Sequence, residues 1–270
     1  MMDSTTIALF DNILKGVGRH PKSGRKKGGM KVHTVMKYQV GVPMVVQLTS
    51  AAKHDHYLLK EVHLPKDSTL AMDRAYIDIA QLQRLTEEGV CYVAKMKRNL
   101  TYGVLDSVTY VNPEGLATHV DQRVRFTRGK LAHEARRVEI FDGGRRPVVL
   151  LTNSFDFSVG DIAEIYRLRW AIESLYKQLK QNFPLHFFYG DSVNAIQIQT
   201  WVVLIANLLI TVLSRSIRRP CAFSQVVAMA RLMLMEYIDF IAFMENPDKT
   251  WDSILARAQS GAPPGPSLFD

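Results

Sequence analysis

The residues best suited to chemistry lie between Asp161 and Gln181, a segment whose periodicity predicts one helix. Its apolar face, spaced for packing on a core, consists of Ile165, Leu168, Ile172, Leu175 and Leu179. A polar stripe beside it consists of Tyr166, Arg169, Glu173 and Lys180. A carboxylate flanked by groups that bind phosphate oxygens suits phosphoryl transfer. A solvated face with an Arg169–Glu173 pair has the same spacing, so spacing alone leaves both interpretations open.

The letters YRLRWAIESLYKQLK in this segment follow the pattern Y-(2)-R-(3)-E-(6)-K, which resembles the signature of DDE transposases of the insertion-sequence 4 family. The family's two aspartate segments have counterparts in Asp3-Ser4-Thr5 and Asp73-Arg74-Ala75-Tyr76. Shorter agreements occur at KVHTVMKY, AAKHD, YVAKMKRN, VLLTNS and GDSVNAIQIQ, so the resemblance covers nearly the whole chain. The chain departs from the family pattern at Ala75, where Gly is usual, and at Lys95, where Arg is frequent.

The resemblance implies that Asp3, Asp73 and Glu173 are the catalytic residues and the metal ligands. It also implies that Tyr166, Arg169 and Lys180 position substrate phosphates. The expected cofactor is Mg²⁺, bound as two ions, with Mn²⁺ able to substitute, since hard cations take carboxylate oxygens, water and phosphate as ligands. The implied reaction is DNA strand cleavage and strand transfer at the ends of an insertion sequence.

The implied partners are transposon ends and target DNA, bound by a homodimer on paired ends. Family members usually have a separate DNA-binding region before the first aspartate, and this chain starts two residues before Asp3, so the expectation is an N-terminally truncated catalytic domain. Two alternatives remain. One is an inactive DNA-binding remnant of a transposase, and the other is a ribonuclease H-like nuclease that cuts DNA without joining ends.

Only a fold that brings two strand-borne carboxylates beside a helix can assemble residues so far apart in sequence. The resemblance implies an α/β, ribonuclease H-like fold of the retroviral-integrase type, with a mixed sheet flanked by helices. Asp3 would lie on the first strand and Asp73 just after the fourth. Glu173 would lie on a helix that follows a β-rich insertion.

Local patterns predict the other elements. Two β-rich runs around Gly41 to Pro43 indicate an antiparallel hairpin, and the Gly-rich basic run from Lys15 to Lys31 indicates a loop. Helices are expected over 77–88, closed by Gly89, and over 195–217 and 223–244. The expected domains are a first core part at 1–95, the insertion at 96–150, a helical core part at 151–245 and a flexible tail at 246–270.

Composition narrows the class of protein. The 270 residues carry a net charge of +8, which favours an anionic partner such as nucleic acid. The two cysteines, Cys91 and Cys221, provide neither a disulfide framework nor a thiolate metal cluster. No signal peptide is visible, and the apolar stretch from Trp201 to Leu213 is shorter than the ~20 residues of a spanning helix. A buried core helix, a cytoplasmic location and no membrane partner are therefore expected.

Three features keep two interpretations each. His54, Asp55 and His56 could begin a zinc site or be ordinary hydrogen-bonded or solvated side chains. The basic run from Lys15 to Lys31 could contact phosphates or connect elements. The insertion's cations could face DNA or only solvent; they are Arg123, Arg125, Arg128, Lys130, Arg136 and Arg137. Some members of the resembled family hold a DNA hairpin intermediate with an aromatic residue of the insertion. No such residue is assigned here, because Trp170, Trp201 and Trp251 lie outside the insertion.

Overall fold

The computed structural model describes residues 1–9, 13–19, 26–141, 146–233 and 239–260. The chain forms two compact units, Met1–Lys177 and Gln178–Asp270, and each is described by itself. The domain boundaries expected at 96, 151 and 246 stay predictions.

The first unit is built on one large sheet with helices beside it. Its strands are β1 (Met2–Leu9), β2 (Lys15–Arg19), β3 (Lys26–Lys37), β4 (Val42–Ser50), β5 (Thr69–Met72), β6 (Cys91–Lys95), β7 (Gly103–Val111), β8 (Ala117–Arg128), β9 (Leu131–Ile140) and β10 (Val148–Thr152). Its helices are α1 (His56–Leu59), a 3₁₀ turn (Arg74–Tyr76), α2 (Ile79–Glu87), α3 (Val159–Leu168) and most of α4 (Trp170–Asn182).

The sheet is mixed, as the ribonuclease H-like expectation requires. Its strand order is β2-β3-β1-β5-β6-β10-β9-β8-β7, with β4 also paired to β3. Strands β1, β5 and β6 are parallel, and the hairpin of β3 and β4 is antiparallel. Buried side chains of these three parallel strands, among them Met2, Met72 and Tyr92, belong to the main hydrophobic core. The sheet therefore places the start of β1 next to the end of β5 inside the unit.

The β-rich insertion extends this sheet. Strand β10 pairs with both β6 and β9, and β8 pairs with β9 and with β7. Strand β7 lies at the end of the strand order, and every residue in it is exposed. The insertion thus continues the core sheet outward.

The loop expected from Lys15 to Lys31 is wrong for the residues that the structure describes. Lys15–Arg19 form β2, and the run from Lys26 onward belongs to β3, which pairs with β1 as well as β2. Glycines at 28 and 29 pair with the end of β1, so the strand tolerates them because tertiary pairing outweighs their low strand propensity. Residues 20–25 of this run lie outside the described residues.

The single helix expected from Asp161 to Gln181 is interrupted at Arg169. Helix α3 begins with a capping box between Ser158 and Asp161, as the sequence indicates, and ends at Leu168. Helix α4 starts at Trp170. Around the break the backbone N–H groups of Arg169 and Ile172 donate to carbonyls three residues earlier, which is 3₁₀ geometry. The expected apolar face holds, with Ile172, Leu175 and Leu179 buried.

The second unit is helical over its described residues, with α5 (Val193–Ser216), α6 (Phe223–Met233), α7 (Phe240–Glu245) and α8 (Pro247–Gln259). The helix expected over 223–244 corresponds to α6 and α7, and residues 234–238 between them lie outside the described part. Helix α8 covers part of the expected tail, whose last ten residues, 261–270, are not described.

The expectation of a buried core helix is only partly correct for α5. Ile196, Leu204 and Ile210 are buried, but Val202 and Leu209 are more than half exposed. At 24 residues the helix is long and apolar enough to cross a membrane by length and composition alone, which is weak evidence for a single helix.

Candidate active site

Asp3 and Asp73 come together because β1 and β5 are neighbouring parallel strands. Met2 pairs with Met72, so the residue after each is an aspartate at the same level of the sheet. Asp3 lies within β1, and Asp73 begins the 3₁₀ turn, where its Oδ2 accepts a hydrogen bond from the backbone N–H of Ala75 at 3.2 Å. Ala75 has no positive φ, so its departure from Gly causes no backbone strain.

Arg169 links Asp3 to Glu173. From the break between α3 and α4, its Nη1 donates to Asp3 Oδ2, and its Nη2 donates to Glu173 Oε1 at 2.7 Å. The guanidinium also lies over the ring of Tyr166, 5.4 Å from the centroid. The Arg169 side chain is 7% exposed, and its Nε is buried without a hydrogen-bond partner. The i,i+4 pair anticipated for a solvated face therefore exists, but Arg169 is buried and bridges two carboxylates.

The electrostatics of Asp3 reflect this convergence. Burial raises the pKa of its carboxyl to about 6. The Ser4 amide and the Arg169 charge lower that pKa, while the negative charges of Asp73 and Glu173 raise it. All three predicted ligands therefore interact electrostatically within one unit, and together they carry more negative charge than Arg169 neutralises.

Sequence reasoning missed a second layer of residues that supports Asp3. The Ser4 amide donates to Asp3 Oδ1 at 2.8 Å, and the Ser4 hydroxyl donates to Asp55 Oδ1 at 2.9 Å. Lys31 Nζ lies 3.1 Å from the same Asp55 oxygen. The Tyr176 hydroxyl donates to the Asp3 carbonyl at 2.8 Å. The AAKHD segment contained a signal for Asp55, but its partner Ser4 is too far away in sequence for spacing to reveal.

His33 is buried in this same layer. One ring nitrogen lies 3.2 Å from the Tyr76 hydroxyl and the other 2.9 Å from Thr49 Oγ1. Burial lowers the pKa of His33 to about 4, although Asp55 at 3.5 Å acts in the opposite direction. A neutral imidazole therefore joins β3 to the turn that follows Asp73.

Lys97 is a further cation beside the carboxylates that the sequence did not single out. Its Nζ donates to the Ile77 carbonyl at 2.9 Å. Burial lowers the pKa of Lys97, while the charges of Asp78, Asp73 and Asp55 raise it. Lys97 thus adds positive charge near Asp73.

The three residues expected to position phosphates have different surroundings. Tyr166 packs against the apolar cluster of Val93 and Ile162 and stacks under Arg169. Arg169 is engaged by the two carboxylates. Lys180 is exposed on α4 beyond Lys177, in the part of the helix that belongs to the second unit.

The metal-binding potential of the site depends on its carboxylates. Asp3, Asp73 and Glu173 provide the hard oxygen donors that Mg²⁺ and Mn²⁺ prefer. Within the described ranges, no three His, Cys, Asp or Glu side chains are arranged to hold one metal ion. Arg169 instead supplies the positive charge between Asp3 and Glu173. The donors fit a divalent cation in chemistry, and Arg169 engages one oxygen each of Asp3 and Glu173.

The structure also shows the surroundings of the two other candidate sites, the histidine pair and the insertion's arginines. The rings of His54 and His56 stack with centroids 5.7 Å apart, and the described residues add no further ligands for zinc. In the insertion, Arg123 and Arg125 both bind Glu134, while Arg136 binds Asp121 and Arg137 binds Glu139. The insertion's positive charge is therefore partly neutralised within the sheet.

Comparison with known proteins gives a consistent result. The family model described as "Transposase DDE domain" matches residues 1–209. The probable transposase for insertion sequence element IS5377 of Geobacillus stearothermophilus is 27% identical over 78% of this chain and 55% of its own length. The transposase candidate y4zB of Sinorhizobium fredii is 26% identical over 92% of this chain and 69% of its own. The chain thus spans between about half and two thirds of the length of these relatives.

A solved structure gives the same fold. The piggyBac transposase in a synaptic complex with hairpin DNA has a TM-score of 0.53 and 10% identity, covering 99% of this chain and 59% of that chain. At this identity the similarity concerns the fold alone. It supports the ribonuclease H-like architecture expected from the sequence.

Proposed function

The chain belongs to the transposase DDE domain family, and we propose that it cleaves DNA strands and joins the freed ends to target DNA. Asp3, Asp73 and Glu173 are the proposed catalytic residues. The observation that carries the proposal is their convergence from β1, the end of β5 and α4, where a buried Arg169 bridges two of them. The carboxylates exceed the bridging charge, so the site suits a divalent cation.

We propose that these three carboxylates hold Mg²⁺, with Mn²⁺ able to replace it, and that two ions are bound. When bound, the ions neutralise charge on the entering and leaving oxygens of the phosphodiester. Asp3 is oriented for this role by the Ser4 amide and by Tyr176, which fixes the Asp3 backbone. Arg169 holds Asp3 and Glu173 near each other, where their repulsion would otherwise be uncompensated.

Arg169 then has a second role on the proposed pathway. A guanidinium released from the carboxylates has donors available for phosphate oxygens, which it can bind bidentately. Tyr166 keeps the guanidinium in place through its ring face. Lys180 is proposed to contact phosphate as a point charge.

The proposed partners are transposon ends and target DNA, held by two copies of the chain, in the cytoplasm. The net charge of +8 supports an anionic partner. Dimerisation rests on the family resemblance. Since the chain spans about half the length of some relatives, recognition of specific ends is proposed for the whole protein and is tested separately from cleavage.

The proposal is tested by nicking of supercoiled plasmid in Mg²⁺ or Mn²⁺, comparing wild type with Glu173→Gln. Loss of one ligand carboxylate should abolish nicking, because the shape of the side chain is kept while its charge is lost. Glu164→Gln is the matched control, since Glu164 is an exposed glutamate on α3 whose ion-pair partner is Arg167.

Strand transfer into a target plasmid separates the alternatives. Nicking with joining supports a transposase, whereas nicking without joining under any metal indicates a nuclease. DNA binding with equally intact DNA for wild type and Glu173→Gln indicates an inactive remnant and contradicts the proposal.

A further inference from the structure

A cluster of rings and lysines lies at the start of α1, outside the carboxylate set. We call it the ring–lysine cluster; it consists of Lys53, His54, His56, Tyr57 and Lys60. The rings of His54 and His56 stack at 5.7 Å, and those of His56 and Tyr57 approach to 4.3 Å at an angle of 33°. Tyr57 is 42% exposed. The cluster thus presents aromatic surface to solvent instead of burying it in the core.

Lysines flank this aromatic surface. Lys53 Nζ and Lys60 Nζ lie 6.0 and 5.5 Å from the centroid of the Tyr57 ring. Both lysines are exposed. Aromatic rings accompanied by exposed ammonium groups are the combination with which proteins bind single-stranded nucleic acid, because the rings stack on bases while the cations contact phosphates.

Asp55 fixes the cluster next to the carboxylates. It is the N-cap residue of α1, but its side chain makes no capping hydrogen bond. Instead it accepts from the Ser4 hydroxyl at 2.9 Å and pairs with Lys31 at 3.1 Å. Ser4 is bonded through its amide to Asp3. Because Asp55 lies between His54 and His56 in the chain, this contact holds the segment that carries both rings next to the start of β1.

Charged side chains interact electrostatically both with the ring–lysine cluster and with the carboxylates of the candidate active site. Burial lowers the pKa of His56, Asp78 raises it, and His54, Lys97 and Lys60 lower it further. Lys97 in turn interacts with Asp73. Lys97 therefore lies within electrostatic range of both His56 and Asp73.

We propose that the ring–lysine cluster binds an unpaired nucleotide of the DNA strand that lies at the carboxylates, with its base stacked on the exposed ring of Tyr57. Bases within a duplex already stack on their neighbours and offer no free face, so the cluster distinguishes unpaired from paired DNA. The inference rests on the proposed function, because it takes DNA as the substrate of the neighbouring site.

The test is equilibrium binding of the whole chain, without divalent metal and with EDTA, to two DNA molecules of equal length. One is a full duplex, and the other has a short unpaired stretch containing 2-aminopurine. Wild type should favour the second molecule and quench its fluorescence by stacking. Tyr57→Ala should weaken that binding about tenfold, the loss of one base–ring contact, and leave duplex binding unchanged. Tyr57→Phe, which keeps the ring, should retain the preference.

Tyr110→Ala is the matched control. The Tyr110 ring stacks on His119 at 4.3 Å and is 46% exposed, but it lies on β7 at the far end of the strand order. Equal affinity of wild type for both DNAs overturns the inference, as does an equal loss of affinity in the Tyr57 and Tyr110 variants. Loss of the preference in EDTA, with recovery in zinc, overturns it in favour of a metal site at His54 and His56.

The result is independent of the cleavage test, since no metal is present during binding. A preference for unpaired DNA that depends on Tyr57 supports the cluster even if wild type does not nick plasmid. In that case the proposed enzymatic function fails and the binding inference stands.

Discussion

Arginines bind carboxylates in two regions of the first unit, with opposite stoichiometry. At the candidate site one cation, Arg169, bridges two carboxylates, Asp3 and Glu173. In the insertion one carboxylate, Glu134, bridges two cations, Arg123 and Arg125. The first bridge is centred on a side chain that is 7% exposed, whereas the insertion arginines are 57% and 50% exposed.

This difference separates a buried ionic site from a surface one. The candidate site has excess negative charge around a buried arginine, so an added cation would be attracted there. The insertion bridge has excess positive charge in solvent, where salt screens it and its contribution to stability is small. Similar contacts between residue types therefore predict different responses to mutation, pH, metal and salt.

The largest contrast is expected from removing the central cation. Arg169→Ala removes the cation from the largely buried pair with Asp3, and we expect the free energy of unfolding to fall by about 2–4 kcal/mol, as for other broken buried pairs. Arg123→Ala, measured in the same urea titration, should cause a much smaller loss, since Arg125 still binds Glu134. Equal losses would show that burial does not distinguish the two regions.

The second contrast is pH dependence. The pKa of Asp3 is raised from 3.8 to about 6 in the folded protein, so the folded state binds the proton more tightly than the unfolded chain. Stability associated with Asp3 is therefore present below about pH 4 and lost as pH rises toward 6, by at most about 3 kcal/mol. Asp3→Asn should remove this decline from the unfolding free energy measured between these pH values. Asp121→Asn in the insertion should leave it in place.

A third contrast concerns divalent metal. Mn²⁺ should stabilise wild type at neutral pH, by about 1.4 kcal/mol at ten times the dissociation constant, because it binds the folded state alone. Thermal unfolding with and without Mn²⁺ measures the shift. Glu173→Gln should lose it, and Glu134→Gln should keep it. A shift that survives in the Glu173 variant would place the metal elsewhere.

The smallest effect is expected at the insertion bridge itself. Glu134→Gln removes the shared acceptor of two exposed arginines, so the thermal midpoint should change only slightly. Repeating the scan in about 1 M salt should abolish that change, because exposed charges are screened. A change that persists in salt would mean that the bridge contributes by packing.

Local sequence patterns predicted several elements of this fold but missed strand β2 and the helix break at Arg169. The hairpin of β3 and β4 and the capping box at Ser158 follow from alternation and capping chemistry, which act over a few residues. The strand character of Lys15–Arg19 did not, since a Gly-rich basic run has no strand propensity and is paired only through β3. The break at Arg169 was missed for a related reason, because its surroundings continue the helical period.

By itself, the sequence determined which residues could act: the spacing around Glu173 and the short segments at Asp3 and Asp73 carry the family resemblance, and each is local. Only the tertiary structure decided that Arg169 lies between Asp3 and Glu173 and that Asp55 reaches Ser4. Such contacts join residues far apart in the chain, and they depend on strand order, register and burial. The periodicity of a single helix or strand carries no information about strand order, register or burial in the folded unit.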